Sequence, residues 1–202
     1  MRNGSTGKGT AVAVFVAVAL CLAGCGSTGE APDPGGQKLF SKYGFSLDYP
    51  DGYHVTEGGL LEAEANDVSG MLRLKGGGEG GSDFSLVWVT ITAPPEESEG
   101  WLESVEDDFF AGIRKAEAGA RLEKSERIEA VETGYRVLYR CYALHYPGGA
   151  VARGVAGSFY CDEAGKLFIL GTRSYRTATR DELLEEFRGY LDSLVCHAPD
   201  SQ

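Results

Sequence analysis

The strongest indication of how this chain folds lies in eleven residues, Tyr43-Gly44-Phe45-Ser46-Leu47-Asp48-Tyr49-Pro50-Asp51-Gly52-Tyr53. Phe45, Leu47 and Tyr49 alternate with polar or small residues, which is the two-residue period of a β-strand. Pro50 presets φ and Gly52 accepts a positive φ, so a turn is predicted directly after this strand. The segment therefore predicts a domain that opens with a hairpin rich in aromatic residues.

Outward from this segment, the hydrophobic pattern predicts more strands and two helices. Six further segments have strand character: Met71–Lys75, Phe84–Ala93, Arg121–Ile128, Tyr135–Tyr146, Val151–Cys161 and Lys166–Ser174. One helix is predicted over Trp101–Ala116, because apolar residues there recur on one face, and Glu106 is assigned to its polar face. A second helix begins at Thr179, where Glu182 completes a capping box. The predicted fold class is α+β, a central antiparallel sheet flanked by helices.

This order of elements, opened by the Tyr43–Tyr53 motif, resembles the PsbP-like superfamily over about residues 38–197. The resemblance implies an α/β/α sandwich. It also implies a role in binding or assembly, since members act mostly in that way and a fold does not fix a chemistry. The motif usually has Trp where this chain has Tyr53, and its role is structural. No functional residue is carried over from it.

The N-terminus has the pattern of an export signal. Two cations, Arg2 and Lys8, precede an apolar run of 13 residues, Ala11–Ala23, which is shorter than the ~20 residues that span a bilayer as a helix. The last two residues of this run and the two after it, Leu22-Ala23-Gly24-Cys25, resemble the lipobox of bacterial lipoproteins. The resemblance implies cleavage between Gly24 and Cys25, diacylation of the Cys25 thiol, and a lipid-anchored protein on the cell membrane, facing outside the cytoplasm. A plain secretory signal is the alternative, but its A-x-A-like site fits these residues poorly.

Three parts of the chain are predicted. Residues 1–24 form the lipoprotein signal peptide, and residues 25–37 comprise the lipidated cysteine and a flexible tether. The tether lacks large apolar side chains and is rich in glycine and proline, so it buries too little surface to order itself. Residues 38–202 have the length of a single globular domain with one core.

The charge of the chain excludes one class of partner. The formal net charge is −11, and removal of residues 1–24 takes away two cations and no acid, which leaves −13. Such a chain is repelled by nucleic acid and by anionic lipid head groups, so no nucleic-acid partner is expected. Membrane contact is assigned to the acyl chains on Cys25, and a protein partner is expected.

Three cysteines follow the lipidated one: Cys141, Cys161 and Cys196. Their spacing matches no zinc or Cys-x-x-Cys motif, so neither a metal site nor a cofactor is predicted. In an antiparallel meander followed by a helix, the chain direction returns Cys196 to the edge of the sheet where Cys161 lies. If the last helix unwinds by its final turn, a Cys161–Cys196 disulfide is predicted, with Cys141 as a free, buried thiol.

Two hypotheses about function come from different classes. The histidines His54, His145 and His197 are dispersed, and no Gly-x-Ser-x-Gly nucleophile motif is present. The sequence therefore favours a non-catalytic binding or assembly module without catalytic residues. The alternative is a hydrolase or ligand-processing enzyme with a site assembled from Tyr142, His145 and nearby acids. A concave site in which His145 meets a titratable partner would favour the enzyme.

Overall fold

A computed structural model describes residues 36–60, 64–76, 82–91 and 100–198. The predicted signal peptide, the lipobox with Gly24 and Cys25, and the tether as far as residue 35 lie outside these ranges. Neither helix within the described ranges has the length and apolarity that crossing a bilayer requires.

The described residues form strands and two helices. The strands are β1 (Gln37–Lys42), β2 (Phe45–Pro50), β3 (His54–Gly58), β4 (Ser69–Lys75), β5 (Ser82–Thr90), β6 (Arg121–Lys124), β7 (Ile128–Glu132), β8 (Tyr135–His145), β9 (Val151–Cys161), β10 (Lys166–Ser174) and β11 (Val195–Cys196). The helices are α1 (Trp101–Ala116), between β5 and β6, and α2 (Arg180–Ser193), between β10 and β11. The first strand thus begins at Gln37, the last residue assigned to the tether.

The opening motif makes a tight hairpin between β1 and β2. Lys42 pairs with Phe45, so Tyr43 and Gly44 alone form the loop, with φ values of 56° and 74°. A two-residue hairpin loop of this kind needs positive φ at both positions, which costs energy at Tyr43. That cost is offset because the Tyr43 ring stacks on Trp88 at 4.9 Å between centroids. β11 pairs with the other edge of β2 and completes a three-stranded sheet.

The second sheet is larger and carries the core. Its eight strands lie in the order β3-β4-β5-β10-β9-β8-β6, and β7 also pairs with β8. Every pairing in it is antiparallel. The prediction of a fold built mainly on antiparallel sheet is confirmed.

Alternate residues of the large sheet contribute to two hydrophobic clusters. One cluster contains the apolar side chains of α1, and Leu138, Tyr142 and Leu144 of β8 belong to it. The other contains the apolar side chains of α2, together with Val137 and Tyr139 of β8. The α1 cluster includes Leu102, Phe109, Phe110 and Ile113; the α2 cluster includes Leu183, Phe187, Tyr190 and Leu191. Because adjacent residues of one strand point to opposite faces, the two clusters contain alternate residues of β8.

Two local predictions need correction. The predicted outer strand at 121–128 ends as β6 at Lys124, and Ile128 begins the separate strand β7. The interruption is a bulge at Ser125, whose N–H donates to the Cys141 carbonyl at 2.9 Å and whose Oγ accepts from the Cys141 N–H at 3.2 Å. Glu106, assigned to the polar face of α1, is only 2 % exposed. Its carboxylate accepts from Arg127 and Arg140, which explains how a charge is tolerated there.

Candidate functional site: a basic recess beside helix α1

A row of polar side chains crosses three strands of the large sheet near one end. Lys75 of β4 lies opposite Asp83 of β5, and Asp83 lies opposite Arg173 of β10. A second row, two residues along each strand, contains Arg73, Ser85 and Gly171. These positions share the face on which α1 packs, since Val87 and Ile169 continue the same alternation into the α1 cluster. The face therefore changes from apolar to polar along the strands.

A recess opens at this polar end. Side chains of α1, Phe109 and Ile113, form one wall, and the two polar rows with Tyr142 form the rest. Its volume is about 40 Å³, which suits a small polar group and not a whole drug-sized ligand.

The floor of the recess exists because residue 171 is glycine. A Cβ atom there would sit 3.4 Å from Ser85 Oγ and 3.7 Å from Phe109 Cζ, so it would occupy the space without a clash. Gly154 on the neighbouring strand differs, since a Cβ there would lie 1.9 Å from the Thr172 carbonyl oxygen and 2.8 Å from the Tyr142 ring. Gly154 is thus required for packing, and Gly171 keeps the recess open.

Positive charge dominates the recess. Arg73, Lys75 and Arg173 line it together with one acid, Asp83. Burial raises the pKa of the Asp83 carboxyl, and the nearby charges of Lys75, Arg173 and Arg73 only partly oppose that effect. A carboxyl group with a raised pKa in a charged cleft is a recognised mark of functional sites.

Arg173 is held in place as a cation. Its Nη1 donates to Glu117 Oε1 at 2.8 Å, and its side chain is 7 % exposed. Burial opposes the charge, but Tyr142, Glu117 and Tyr175 outweigh burial and raise the pKa of Arg173. The Tyr142 hydroxyl donates to the Thr172 carbonyl at 3.0 Å, and burial raises its pKa. Arg173 therefore lies beside the recess as a fixed guanidinium that is paired with Glu117.

The side chains proposed for a hydrolytic site are not brought together. Tyr142 belongs to the α1 cluster, whereas His145, three residues further along β8, faces the other side of the sheet. His145 Nε2 lies 3.3 Å from Glu123 Oε2, and the Glu123 side chain is 60 % exposed. His54 is exposed on β3, and His197 Nε2 lies 3.1 Å from Ser46 Oγ near β11.

The cysteines are arranged as the chain direction predicts, but the structure contains them as free thiols. α2 ends at Ser193, and Cys196 lies on β11, where its thiol is near enough to that of Cys161 for each to shift the pKa of the other. The Cys161–Cys196 disulfide stays a prediction. Cys141 is partly exposed and not fully buried. In the described ranges, no group of three His, Cys, Asp or Glu residues has the geometry of a metal site.

Sequence reasoning missed the recess, although a signal for it exists. Arg73 and Lys75 of β4, and Asp83 and Ser85 of β5, are polar at alternate positions on what becomes the α1 face. When polar residues recur with the two-residue period of a strand on a face that a helix is expected to cover, they indicate either a binding site or an exposed edge of the sheet.

No protein-family model and no curated protein sequence matches this chain. Among solved structures, the cyanobacterial PsbP protein (CyanoP) from Synechocystis sp. PCC 6803 superimposes with a TM-score of 0.58 at 18% identity, covering 87% of this chain and 99% of that protein. The fold is PsbP-like. A protein of unknown function from Pseudomonas aeruginosa, PA94, described as a putative regulator, reaches a TM-score of 0.40 at 12% identity and covers 82% of this chain and 100% of its own. At these identities the PsbP-like resemblance concerns the fold alone.

Proposed function

We propose that this PsbP-like protein is a membrane-anchored extracytoplasmic lipoprotein that acts as a non-catalytic binding or assembly module. Acyl chains on Cys25 would hold it on the cell membrane, and its recess beside α1 would receive an acidic group of a protein partner. Two acyl chains suffice for stable anchoring, whereas one does not.

The recess is the observation that supports the binding role. The chain has a net charge of −11, yet three cations and a single acid line this one concave site. Complementary charge of this kind steers a partner and fixes its orientation. A volume of about 40 Å³ accommodates one carboxylate group, such as an Asp or Glu side chain that projects from a larger partner.

The contacts of the recess suit binding better than hydrolysis. The Ser85 hydroxyl donates to the Gly171 carbonyl at 3.4 Å, so it is not directed at a general base. The described lining residues include no histidine. A serine without a base remains a weak nucleophile.

The finer architecture belongs to the same proposal. We assign an α/β/α sandwich in which α1 and α2 cover opposite faces of the large sheet. In that arrangement α1 would cover only part of the face formed by β4, β5 and β10. The part of the face that α1 leaves uncovered would be the recess, so the position of α1 would create the binding site.

A photo-crosslinking experiment in native membranes tests the proposal. A photoreactive residue replaces Thr56, an exposed position that pairs with Arg73 on the same face, and a second version carries it at Glu185, an exposed position on α2. Lys75→Glu reverses an exposed charge of the recess, and Lys115→Glu makes the same change on an exposed part of α1.

We expect a crosslinked partner from position 56 that decreases at least about fivefold with Lys75→Glu and persists with Lys115→Glu, because a like charge repels an acidic group. Gly171→Val should also reduce it by filling the recess. Equal crosslinking from positions 56 and 185, or equal effects of the two charge reversals, would contradict the proposal.

A further inference from the structure

The two thiols at the end of β9 and on β11 form a built site. Cys161 pairs with Lys166 across β9 and β10, and Cys196 pairs with Phe45 on β2. The Phe45 ring contacts that of Phe168, two residues after Lys166, at 5.4 Å between centroids, which brings the two strand ends together. Each thiol interacts with the other, and the Tyr135 hydroxyl interacts with both. The pair lies outside the recess and is independent of its proposed ligand.

The two sulfur atoms differ in access. Cys161 is 0% exposed, whereas Cys196 is partly exposed on the two-residue strand β11, next to Val195, which is 51% exposed. The sulfur of Cys161 is therefore closed to a thiol or disulfide from solution, whereas part of the surface of Cys196 is open. Thiol–disulfide exchange requires direct approach to the sulfur that is attacked, so access decides which cysteine reacts first.

The two sulfur atoms also differ in their hydrogen bonds. Cys161 Sγ accepts from the Ala164 N–H at 3.3 Å and lies 3.8 Å from the Tyr135 hydroxyl. The Cys196 thiol, then the Ala164 N–H and Tyr135, outweigh burial and lower the pKa of Cys161. The hydrogen bond to Cys161, with burial, raises the pKa of Cys196. Cys161 Sγ also donates to Glu163 Oε2 at 3.4 Å, so the thiol proton of Cys161 has a partner within the protein.

We propose that Cys161 and Cys196 form a reversible disulfide that exchanges with soluble disulfides and thiols only through the sulfur of Cys196. Cys161 is the resolving thiol during oxidation and the leaving group during reduction. The disulfide closes a 36-residue loop and ties the C-terminal strand β11 to the large sheet.

The exchange balances with an external disulfide R–S–S–R as the oxidant. Cys196 loses its proton to solvent and attacks one sulfur, which forms a Cys196–S–S–R mixed disulfide and releases R–S⁻. Cys161 then loses its proton to solvent, and its thiolate attacks Cys196 Sγ, forms the internal bond and releases the second R–S⁻. The two protein thiols lose two electrons, which R–S–S–R gains, and two protons end on the two R–SH molecules. Reduction runs the same steps backwards, with R–S⁻ attacking Cys196 Sγ.

Glutathione disulfide is the probe that tests this assignment. The full-length protein, purified from membranes in detergent and reduced, is incubated with it, quenched with acid and mapped by mass spectrometry of its peptides. Cys161→Ser should accumulate a stable glutathione adduct on Cys196. Cys196→Ser should form an adduct on Cys161 at least about tenfold more slowly, and should react readily once urea unfolds it. Cys141, present in every variant, is the internal reference thiol.

The wild-type chain provides a readout that does not depend on how the variants fold. With limiting glutathione disulfide, a transient adduct should appear on the Cys196 peptide alone, followed by the Cys161–Cys196 bond. An adduct on Cys161 of the folded wild-type protein, similar rates for the two variants, or two thiols that persist in excess oxidant would overturn the proposal.

Discussion

Gly70 shows how single residues connect the opening motif to the core. The Trp88 indole lies directly over it: a Cβ at position 70 would be 2.3 Å from the Trp88 ring and 2.8 Å from Ala65 Cβ. Trp88 is fully buried, donates from Nε1 to the Asn66 carbonyl at 2.9 Å, and stacks on Tyr43. The strained loop residue Tyr43 is therefore supported by a tryptophan that fits only because residue 70 has no side chain.

The first prediction follows from that fit. Gly70→Ala should destabilise the domain by about 1–3 kcal/mol, because the added methyl group forces Trp88 off its position in a well-packed core. Gly112→Ala is the matched control, since its Cβ meets nothing within 4 Å and lies inside α1. It should stabilise by about 0.5–1 kcal/mol through helix propensity. Urea unfolding followed by circular dichroism measures both, and a Gly70→Ala variant as stable as wild type would refute the packing argument.

The second prediction concerns pH and Asp83. Its folded-state pKa is raised by burial above the value of about 3.9 in an unfolded chain. Its contribution to stability is therefore fully present below the unfolded pKa and is lost as pH rises through the folded pKa. Asp83→Asn should stabilise the domain at pH 7 and have little effect at pH 3.5.

The control for Asp83 has the opposite sign. Lys38 and the Gly52 N–H lower the pKa of exposed Asp51, so Asp51→Asn should lose stability at pH 7 and not at low pH. Unfolding titrations at the two pH values test both variants. A pH-independent difference between Asp83→Asn and wild type would show that burial of the charge is not the cause.

At the scale of elements, helix α1 is fastened to the sheet by charge as well as by apolar packing. Glu106 Oε2 accepts from Arg127 Nε at 2.5 Å, just before β7, and from Arg140 Nε on β8 at 3.0 Å. The Glu106 side chain is 1% exposed, while its neighbour Asp107 is 57% exposed. A desolvated carboxylate between two arginines orients the helix, because any shift would leave the charge buried without a partner.

The third prediction compares these two adjacent carboxylates. Glu106→Gln should cost about 3 kcal/mol, since it leaves two partly buried guanidinium groups without their shared anion. Asp107→Asn, which also loses arginine contacts, should cost less than about 1 kcal/mol because water screens its charge. Thermal and urea unfolding measure both free energies. Equal costs would mean that Glu106 contributes no more than a surface ion pair does.

The elements that the sequence predicts correctly are those whose pattern lies within one short segment of the chain. The capping box at Thr179 is confirmed: Thr179 Oγ1 accepts from the Glu182 N–H at 3.3 Å, and the Glu182 carboxylate accepts from the Thr179 N–H at 2.7 Å. The strands β9 and β10 have the predicted bounds. β11 was not predicted because two residues have no period, and its partner β2 is distant in sequence. The recess was not predicted for a similar reason, since the pairing of Asp83 with Arg173 is a long-range register.

At the scale of the whole molecule, the proposed anchor and the recess act together through the segment that joins them. The domain begins at β1, where the Gly36 carbonyl accepts from the Asp51 N–H at 2.8 Å. A tether of the predicted length from Cys25 would extend to about 40 Å when fully stretched and would have a mean span of about 20 Å as a Gly-rich coil. The recess would then sample partners close to the membrane, where anchoring raises their effective concentration.

The final prediction tests that anchoring. Cys25→Ala removes the only thiol that the lipobox resemblance assigns to acylation, so the protein should move from the membrane pellet to the soluble fraction on ultracentrifugation. Its domain should keep the wild-type melting temperature, because residue 25 precedes the first strand, which begins at Gln37, by 12 residues. Cys21→Ala is the matched control: the same change four residues earlier, within the apolar run, should leave the protein in the pellet. If the Cys25→Ala protein still sediments with membranes and resists extraction by high salt, the proposal of a lipid anchor on Cys25 is wrong. The protein is then held on the membrane by its retained export signal or by another contact.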